Sequence, residues 1–212
     1  IGRGVEGWNV GQRVVATSQS GGGLAEYVVA LAANLMLCPE GLAPPQGAAL
    51  LVQGLTSVMM IDNAARVEAG ETVVIHAAAG GVGTLVVQIA RAKGARVIGT
   101  ASSDEKCSLI EELGAVAINY KEIDWVKQVL ALTNGKGAEV IFESVGGEVL
   151  ARSYREALAD FGRLVVYGVA SGDVVKFDNY EILASNKSLI GFWLGPHQVN
   201  HHDRVAAAKQ RL

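Results

Sequence analysis

Three glycines, Gly80, Gly81 and Gly83, stand between a short β-branched run and an apolar pattern with helical spacing. The run at residues 73–75 is typical of a buried parallel strand, and the apolar residues from Val82 to Ala90 recur every three or four positions. A glycine turn lets a diphosphate approach the backbone closely, and the following helix offers free N–H groups. The pattern predicts a dinucleotide site; the alternative is a tight turn that binds nothing.

The second predicted strand, at residues 96–100, indicates which dinucleotide is bound. In the NAD version of such a site an Asp or Glu closes this strand, whereas Ser102 and Ser103 follow it here. Both serines could contact a 2′-phosphate, Lys106 could supply the countercharge, and Tyr120 at the end of the third strand could donate a hydrogen bond. We therefore predict NADPH rather than NADH. The alternatives are a surface Lys106 paired with its acidic neighbours and a Tyr120 that only packs.

Strands and helices alternate regularly from residue 71 onward. The predicted strands lie at residues 73–75, 96–100, 116–118, 139–142, 163–167 and 188–193. This order predicts an α/β fold with a doubly wound parallel (Rossmann) sheet, whose ligand lies at the carboxyl ends of the strands. The glycine-bearing segments 80–83, 146–147 and 168–172 all follow strand ends and therefore point to one rim.

The residues before this region have a different pattern. Residues 1–38 predict three short strands, including one at 24–30 and one at 34–37, with a loop at 18–23. Three short strands cannot bury a core by themselves. The Pro-containing stretch 39–45 interrupts regular structure and separates this region from the next. A helix is predicted at 53–67, followed by Gly70 as its C-cap. We expect domain boundaries at 1–43 and 44–212.

Composition excludes several classes of protein. The chain has 212 residues, 18% of them charged, and a net charge of −3, so nucleic acid is an unlikely partner and no membrane span is predicted. Its two cysteines, Cys38 and Cys107, are too few for a disulfide framework or a four-cysteine zinc site and fit a cytoplasmic location. The adjacent His201 and His202 are read as solvated residues at a helix start rather than as a metal site.

Five motifs together resemble the medium-chain dehydrogenase/reductase superfamily, and most closely its zinc-independent quinone oxidoreductase (zeta-crystallin-like) branch. The most specific is the cofactor loop at residues 76–83; the others lie at residues 11–14, 23–27, 53–56 and 142–147. Two of them depart from the family pattern, with Gln12 and Glu143 each standing where Asp is usual. The resemblance covers nearly the whole chain.

This resemblance implies a cofactor domain inserted into a GroES-like β-rich catalytic domain. Residues 1–43 would be the later N-terminal part of that catalytic domain; its C-terminal segment is expected to be missing, and the catalytic residue, unknown here, would lie upstream. Zinc is disfavoured because the cysteine-bearing segments of zinc-dependent relatives have no cysteine here. The resemblance implies cofactor contacts from Thr56, Ala79, Gly80, Gly81, Val82, Gly83, Ser144, Val145, Gly168, Val169, Ala170, Phe192 and Trp193.

The predicted activity is hydride transfer from NADPH to a quinone or an α,β-unsaturated carbonyl compound without zinc, in a homodimer. One alternative is a 2-enoyl thioester reductase, because residues 191–193 also resemble that branch. A second, from another class, is a structural or RNA-binding protein that binds NADPH without turnover. For Thr56 the alternative role is a hydroxyl bonded to its own helix, and for Phe192 and Trp193 it is ordinary core packing.

Overall fold

The computed structural model describes residues 1–17 and 21–212, so residues 18–20 of the predicted loop lie outside the described residues. Near the N-terminus, β1 (Val14–Ala16) pairs antiparallel with β2 (Leu35–Leu37), which confirms the first predicted strand and the one at 34–37. A short 3-10 helix, Ala32–Asn34, precedes β2.

The strand predicted at residues 24–30 is wrong: this stretch has no strand in the described chain. The side chains of Leu24, Tyr27 and Val29 are almost fully exposed. A strand needs a neighbour to pair its backbone groups, and no described segment pairs with this one. The apolar residues of this stretch suit a strand, but the pairing that a strand requires is not made.

Helical structure begins at the predicted Pro-rich boundary. It comprises α1 (Pro44–Ala49), a π-helical segment (Leu50–Gly54), α2 (Leu55–Met59) and a second π-helical segment (Met60–Ala64). The apolar side chains Leu55, Val58, Met59, Ile61 and Ala65 of this region are buried. Gly70 is not the helix C-cap, because the helix ends at Ala64; it lies instead in the turn before the next strand, with a φ of +87°.

Strands and helices then alternate as predicted. The strands are β3 (Thr72–Ile75), β4 (Arg96–Ala101), β5 (Val116–Asn119), β6 (Ala138–Glu143), β7 (Leu158–Val166) and β8 (Ser188–Gly191). The helices are α3 (Gly81–Ala92), α4 (Asp104–Glu112), α5 (Trp125–Leu132), α6 (Gly147–Arg152) with a π-helical continuation (Ser153–Ala157), α7 (Asn179–Ser185), α8 (Leu194–Asn200) and α9 (His202–Gln210).

The sheet is parallel throughout, with the strand order β5–β4–β3–β6–β7–β8. The order reverses between β3 and β6, and this reversal places the predicted ligand site at their carboxyl ends. Alternate residues of β3 face opposite sides: Val73 and Ile75 pack with α2, α3 and α9, while Val74 packs with α5 and α6. Helices thus cover both faces, which confirms the doubly wound fold.

Candidate functional site

The turn from β3 to α3 approaches the sheet closely. The Ala78 amide donates to the Thr100 carbonyl at 3.1 Å, and Ala77 has a φ of +52°. A Cβ at Gly83 would lie 2.6 Å from the Cα of Ala78 and clash with the Ala77 carbonyl oxygen. Only glycine permits this approach, so the turn is a cradle that a side chain at position 83 would fill.

The N-terminus of α3 has no side-chain cap. Its N-cap residue, Gly80, has no side chain to accept a hydrogen bond, and its first turn carries no acidic residue. By contrast, Ser103 caps α4 and Asp124 caps α5 through their side chains. The first-turn N–H groups of Gly81, Val82 and Gly83 therefore fit an anion such as a diphosphate.

A cavity of about 410 Å³ opens beside this turn, at the carboxyl ends of β3 and β4. Among the described residues, Lys106 is the only lysine or arginine that lines the cavity, and the lining contains no Asp or Glu. The lining comprises His76, Ala77, Ala79, Gly80, Thr100, Ala101, Ser102, Lys106, Tyr120, Trp125, Val145 and Val149. The cavity brings together six of the predicted cofactor residues: Ala79, Gly80, Ser102, Lys106, Tyr120 and Val145.

The surroundings of Lys106 bear on one of its two predicted roles, pairing with its acidic neighbours. Lys106 makes no salt bridge with any residue in the described part of the chain. The neighbouring Asp104 is instead held by the side-chain amide of Asn119, at 2.9 Å, and Ser103 is the N-cap of α4. Pairing of Lys106 with its acidic neighbours is therefore absent, and the ammonium remains available to the cavity.

The interior end of the cavity is formed around His76, which is buried. Its Nδ1 lies 3.0 Å from the Thr100 hydroxyl, and its Nε2 lies 2.9 Å from the Ser153 hydroxyl. The Trp125 ring meets it edge to face, with 4.7 Å between centroids. Burial lowers the pKa of His76 from 6.5 to about 4, so the ring is neutral at neutral pH.

The loops after β6 and β7 form the neighbouring part of the rim. The amides of Ala170 and Ser171 donate to the carbonyls of Ser144 and Val145, at 3.0 and 2.7 Å. Gly168 packs so closely on Ser144 that a Cβ would lie 2.8 Å from that residue. The structure thus joins the predicted residues Ser144 and Val145 to the predicted segment Gly168, Val169 and Ala170.

The other predicted residues lie outside the cavity. Thr56 is buried in α2, whose neighbouring Ser57 donates to the Val82 carbonyl at 3.3 Å. Phe192 is buried and stacks on His197, with 5.0 Å between centroids, whereas Trp193 is 78% exposed. The structure therefore packs α2, the helix that carries Thr56, against the start of α3 through Ser57, but it does not bring Phe192 or Trp193 to the cavity.

Sequence reasoning missed six lining residues. They are His76, Ala77, Thr100, Ala101, Trp125 and Val149. The position of His76 and Ala77 directly after β3, and of Thr100 and Ala101 at the end of β4, was a usable signal, because such ends form the rim. Trp125 and Val149 carried no such signal, since both belong to predicted helices rather than to strand ends.

Clustered metal ligands are absent from the described residues. In residues 1–17 and 21–212, no three His, Cys, Asp or Glu side chains come together as a group that could hold a metal ion. Zinc independence stays a prediction. The same residues contain no helix long and apolar enough to cross a membrane.

Residues 81–208 match the family described as zinc-binding dehydrogenase. A quinone oxidoreductase of Pseudomonas aeruginosa is 37% identical over 190 residues, which are 89% of this chain and 58% of that protein. A human quinone oxidoreductase is 31% identical over 99% of this chain and 63% of its own length. The chain thus spans about six tenths of the length of these relatives.

Solved structures have the same fold. That of the Thermus thermophilus quinone oxidoreductase, determined also as its complex with NADPH, has a TM-score of 0.84 at 35% identity, covering 97% of this chain and 64% of that one. The CurK enoyl reductase has a TM-score of 0.74 at 26% identity, covering 84% of this chain and 53% of that one.

Proposed function

Because the chain belongs to the zinc-binding dehydrogenase family and, within the medium-chain dehydrogenase/reductase superfamily, to the quinone oxidoreductase branch, we propose that it is the cofactor-binding part of an NADPH-dependent quinone oxidoreductase. The observation that carries this proposal is the unpaired Lys106 in a cavity whose described lining has no carboxylate. A carboxylate there would repel a 2′-phosphate, whereas a free ammonium attracts it.

Within this proposal, each part of the cavity takes a different part of the cofactor. The uncapped first turn of α3 receives the diphosphate, and Ser102, Ser103, Lys106 and Tyr120 receive the 2′-phosphate of the adenosine. The apolar walls of the cavity fit the flat purine. The joined loops at Ser144–Val145 and Gly168–Ala170 border the region proposed for the nicotinamide end. Thr56, Phe192 and Trp193 lie outside the cavity and are proposed as contacts at that end on the family resemblance alone.

The bound cofactor would supply hydride, and the protein would position it and exclude water. A quinone or an enone can accept hydride without a Lewis acid, so the proposed reaction requires no zinc. We propose no catalytic residue. The second candidate is a 2-enoyl thioester reductase, favoured by the likeness to the CurK enoyl reductase.

We further propose that residues 1–43 belong to a catalytic domain and residues 44–212 to the cofactor domain, in a cytoplasmic homodimer. The exposed apolar side chains of Leu24, Tyr27 and Val29 suit a segment that is covered in a larger catalytic domain. The edge strand β8, with Leu189 partly exposed, suits pairing with a second copy. Both cysteines are free, as is usual in a reducing compartment.

The test is a direct calorimetric titration of this chain with NADPH and NADH in parallel, for the natural protein and for Lys106→Met. We expect NADPH to bind at least about tenfold more tightly than NADH, and Lys106→Met to remove most of that difference while leaving NADH affinity unchanged. Lys127→Met, on the exposed side of α5, is the matched control. Equal affinity for the two cofactors in the natural protein would refute the 2′-phosphate assignment.

The substrate class is tested by measuring turnover with a longer protein that includes the remaining segments of the proposed catalytic domain. NADPH consumption should be faster with quinones and enones than with 2-enoyl thioesters. The reverse preference would favour the second candidate. Tight binding of NADPH with no turnover of either panel would instead favour a protein that holds the cofactor without chemistry.

A further inference from the structure

His76 is a polar side chain in the apolar interior wall of the cavity. The ring follows β3, and its two nitrogens contact hydroxyls on different elements: Thr100 on β4 and Ser153 at the start of the π-helical continuation of α6. All three side chains are buried. Removing either hydroxyl partner of this buried imidazole is costly, because it would leave an unsatisfied polar atom.

The directions of the hydrogen bonds follow from the geometry. The Ser153 hydroxyl donates to the Val149 carbonyl at 2.6 Å, which uses its only proton. It must therefore accept from His76, whose Nε2 carries the proton, and the remaining Nδ1 accepts from the Thr100 hydroxyl. The result is one chain of donation that runs from Thr100 through His76 and Ser153 to the Val149 backbone.

This chain connects the walls of the cavity. Thr100 lies in the wall from β4, and Val149 lies in the wall from α6. Trp125, in the wall from α5, meets the edge of the His76 ring. Three separate elements thus meet at a single imidazole, and the side chains that make these hydrogen bonds are buried.

We propose that His76 is a positioning residue for the purine end of the cofactor: it sets the spacing between the β4 wall and the Trp125–Val149 wall. This inference rests on the proposed function, since it assigns that end of the cavity to the adenosine. The neutral ring with its proton on Nε2 is the form that satisfies Ser153 and Thr100 at once, so the walls keep their spacing before the cofactor arrives.

The test removes one hydroxyl at a time and measures the dissociation constant of adenosine 2′,5′-bisphosphate, which lacks the nicotinamide half. Thr100→Val keeps the shape of the side chain and loses the hydroxyl, whereas Thr100→Ser keeps the hydroxyl. We expect Thr100→Val and Ser153→Ala to weaken binding about tenfold, and Thr100→Ser to stay within about twofold of the natural protein. Ser108→Ala, which removes an exposed hydroxyl bonded to its own helix, is the control.

A second measurement requires no nucleotide. In a Trp8→Phe/Trp193→Phe background, acrylamide quenching reports Trp125 alone, and it should increase in Thr100→Val and Ser153→Ala but not in Thr100→Ser. If Thr100→Val and Ser153→Ala lower only the melting temperature, with affinity unchanged in the folded protein, the positioning role is refuted. If the natural protein binds no nucleotide, the cofactor proposal fails separately, and unchanged quenching of Trp125 would then refute the wall-spacing role as well.

Discussion

Gly146 donates its backbone N–H to the Oε1 of Glu143 at 2.9 Å, while the other carboxyl oxygen of Glu143 is buried without a partner in the described chain. The Val145 amide donates to the same Oε1 at 2.5 Å. Burial raises the pKa of Glu143, and the two backbone hydrogen bonds oppose that shift. The carboxyl at the end of β6 thus orders the loop that carries Ser144 and Val145. Its ionised form is disfavoured because the group is buried.

This arrangement predicts how stability depends on pH. Because the folded-state pKa of Glu143 is above its ordinary value of 4.5, its contribution is complete below that pH and is lost as the pH rises through the raised pKa. Glu143→Gln keeps an oxygen for both amides and cannot ionise. Urea unfolding from pH 4.5 upward should show the natural protein losing stability relative to Glu143→Gln. Parallel pH profiles for the two proteins would contradict this.

For His76 we expect the opposite pH dependence of stability, with a loss of stability at acidic pH. Its pKa falls from 6.5 to about 4 on folding, so its contribution is complete above pH 6.5 and is lost as the pH falls toward 4. The full difference corresponds to about 3 kcal/mol. The free energy of unfolding of the natural protein should therefore drop by about that amount relative to His76→Gln between pH 7.5 and 4. An equal drop in both proteins would show that His76 is not the group responsible.

Gly83→Ala should damage the turn between β3 and α3. The new Cβ would lie 2.6 Å from the Cα and carbonyl oxygen of Ala78, and backbone atoms cannot move aside as a flexible side chain can. We expect a loss of about 1–3 kcal/mol in urea unfolding, together with loss of NADPH binding. Gly195→Ala is the matched control, because it also lies in the first turn of a helix and its Cβ would meet only ordinary contacts, at 3.7 Å. Equal stability of both variants would contradict the close approach.

Away from the cofactor rim, toward the amino ends of the strands, Arg163 of β7 binds both carboxylate oxygens of Glu71, at 2.6 and 2.7 Å. The pair is mostly buried and ties β7 to the residue that precedes β3. Arg163→Met should lower the free energy of unfolding by about 1–3 kcal/mol, because Glu71 loses its cation in a poorly solvated position. The cofactor site lies at the other end of the strands, so NADPH affinity of the folded protein should be unchanged. A changed affinity would show that the pair acts beyond stability.

Much of the fold could be read from local patterns. The β-branched run before Gly80 and the helical spacing after Gly83 specify a strand, a turn and a helix from neighbouring residues alone, and the regular alternation that follows allows only a few parallel topologies. The absence of Asp or Glu directly after β4 can likewise be read from the sequence alone. These inferences hold because each depends on residues close together in sequence. The same motifs supported the superfamily and branch to which the chain belongs.

Other inferences were wrong or could not be made from the sequence, because they depend on residues that are distant in sequence and close in space. The composition of residues 24–30 could not show that no described strand pairs with them, and Gly70 could not show that the helix stops at Ala64. Whether Lys106 pairs with Asp104 depended on Asn119, fifteen residues from Asp104. The sequence by itself determined the order of the elements and the chemistry of the turn. Only the tertiary structure decided that His76 joins Thr100 to Ser153, because residues 24 and 77 positions apart meet only when the sheet and α6 are packed.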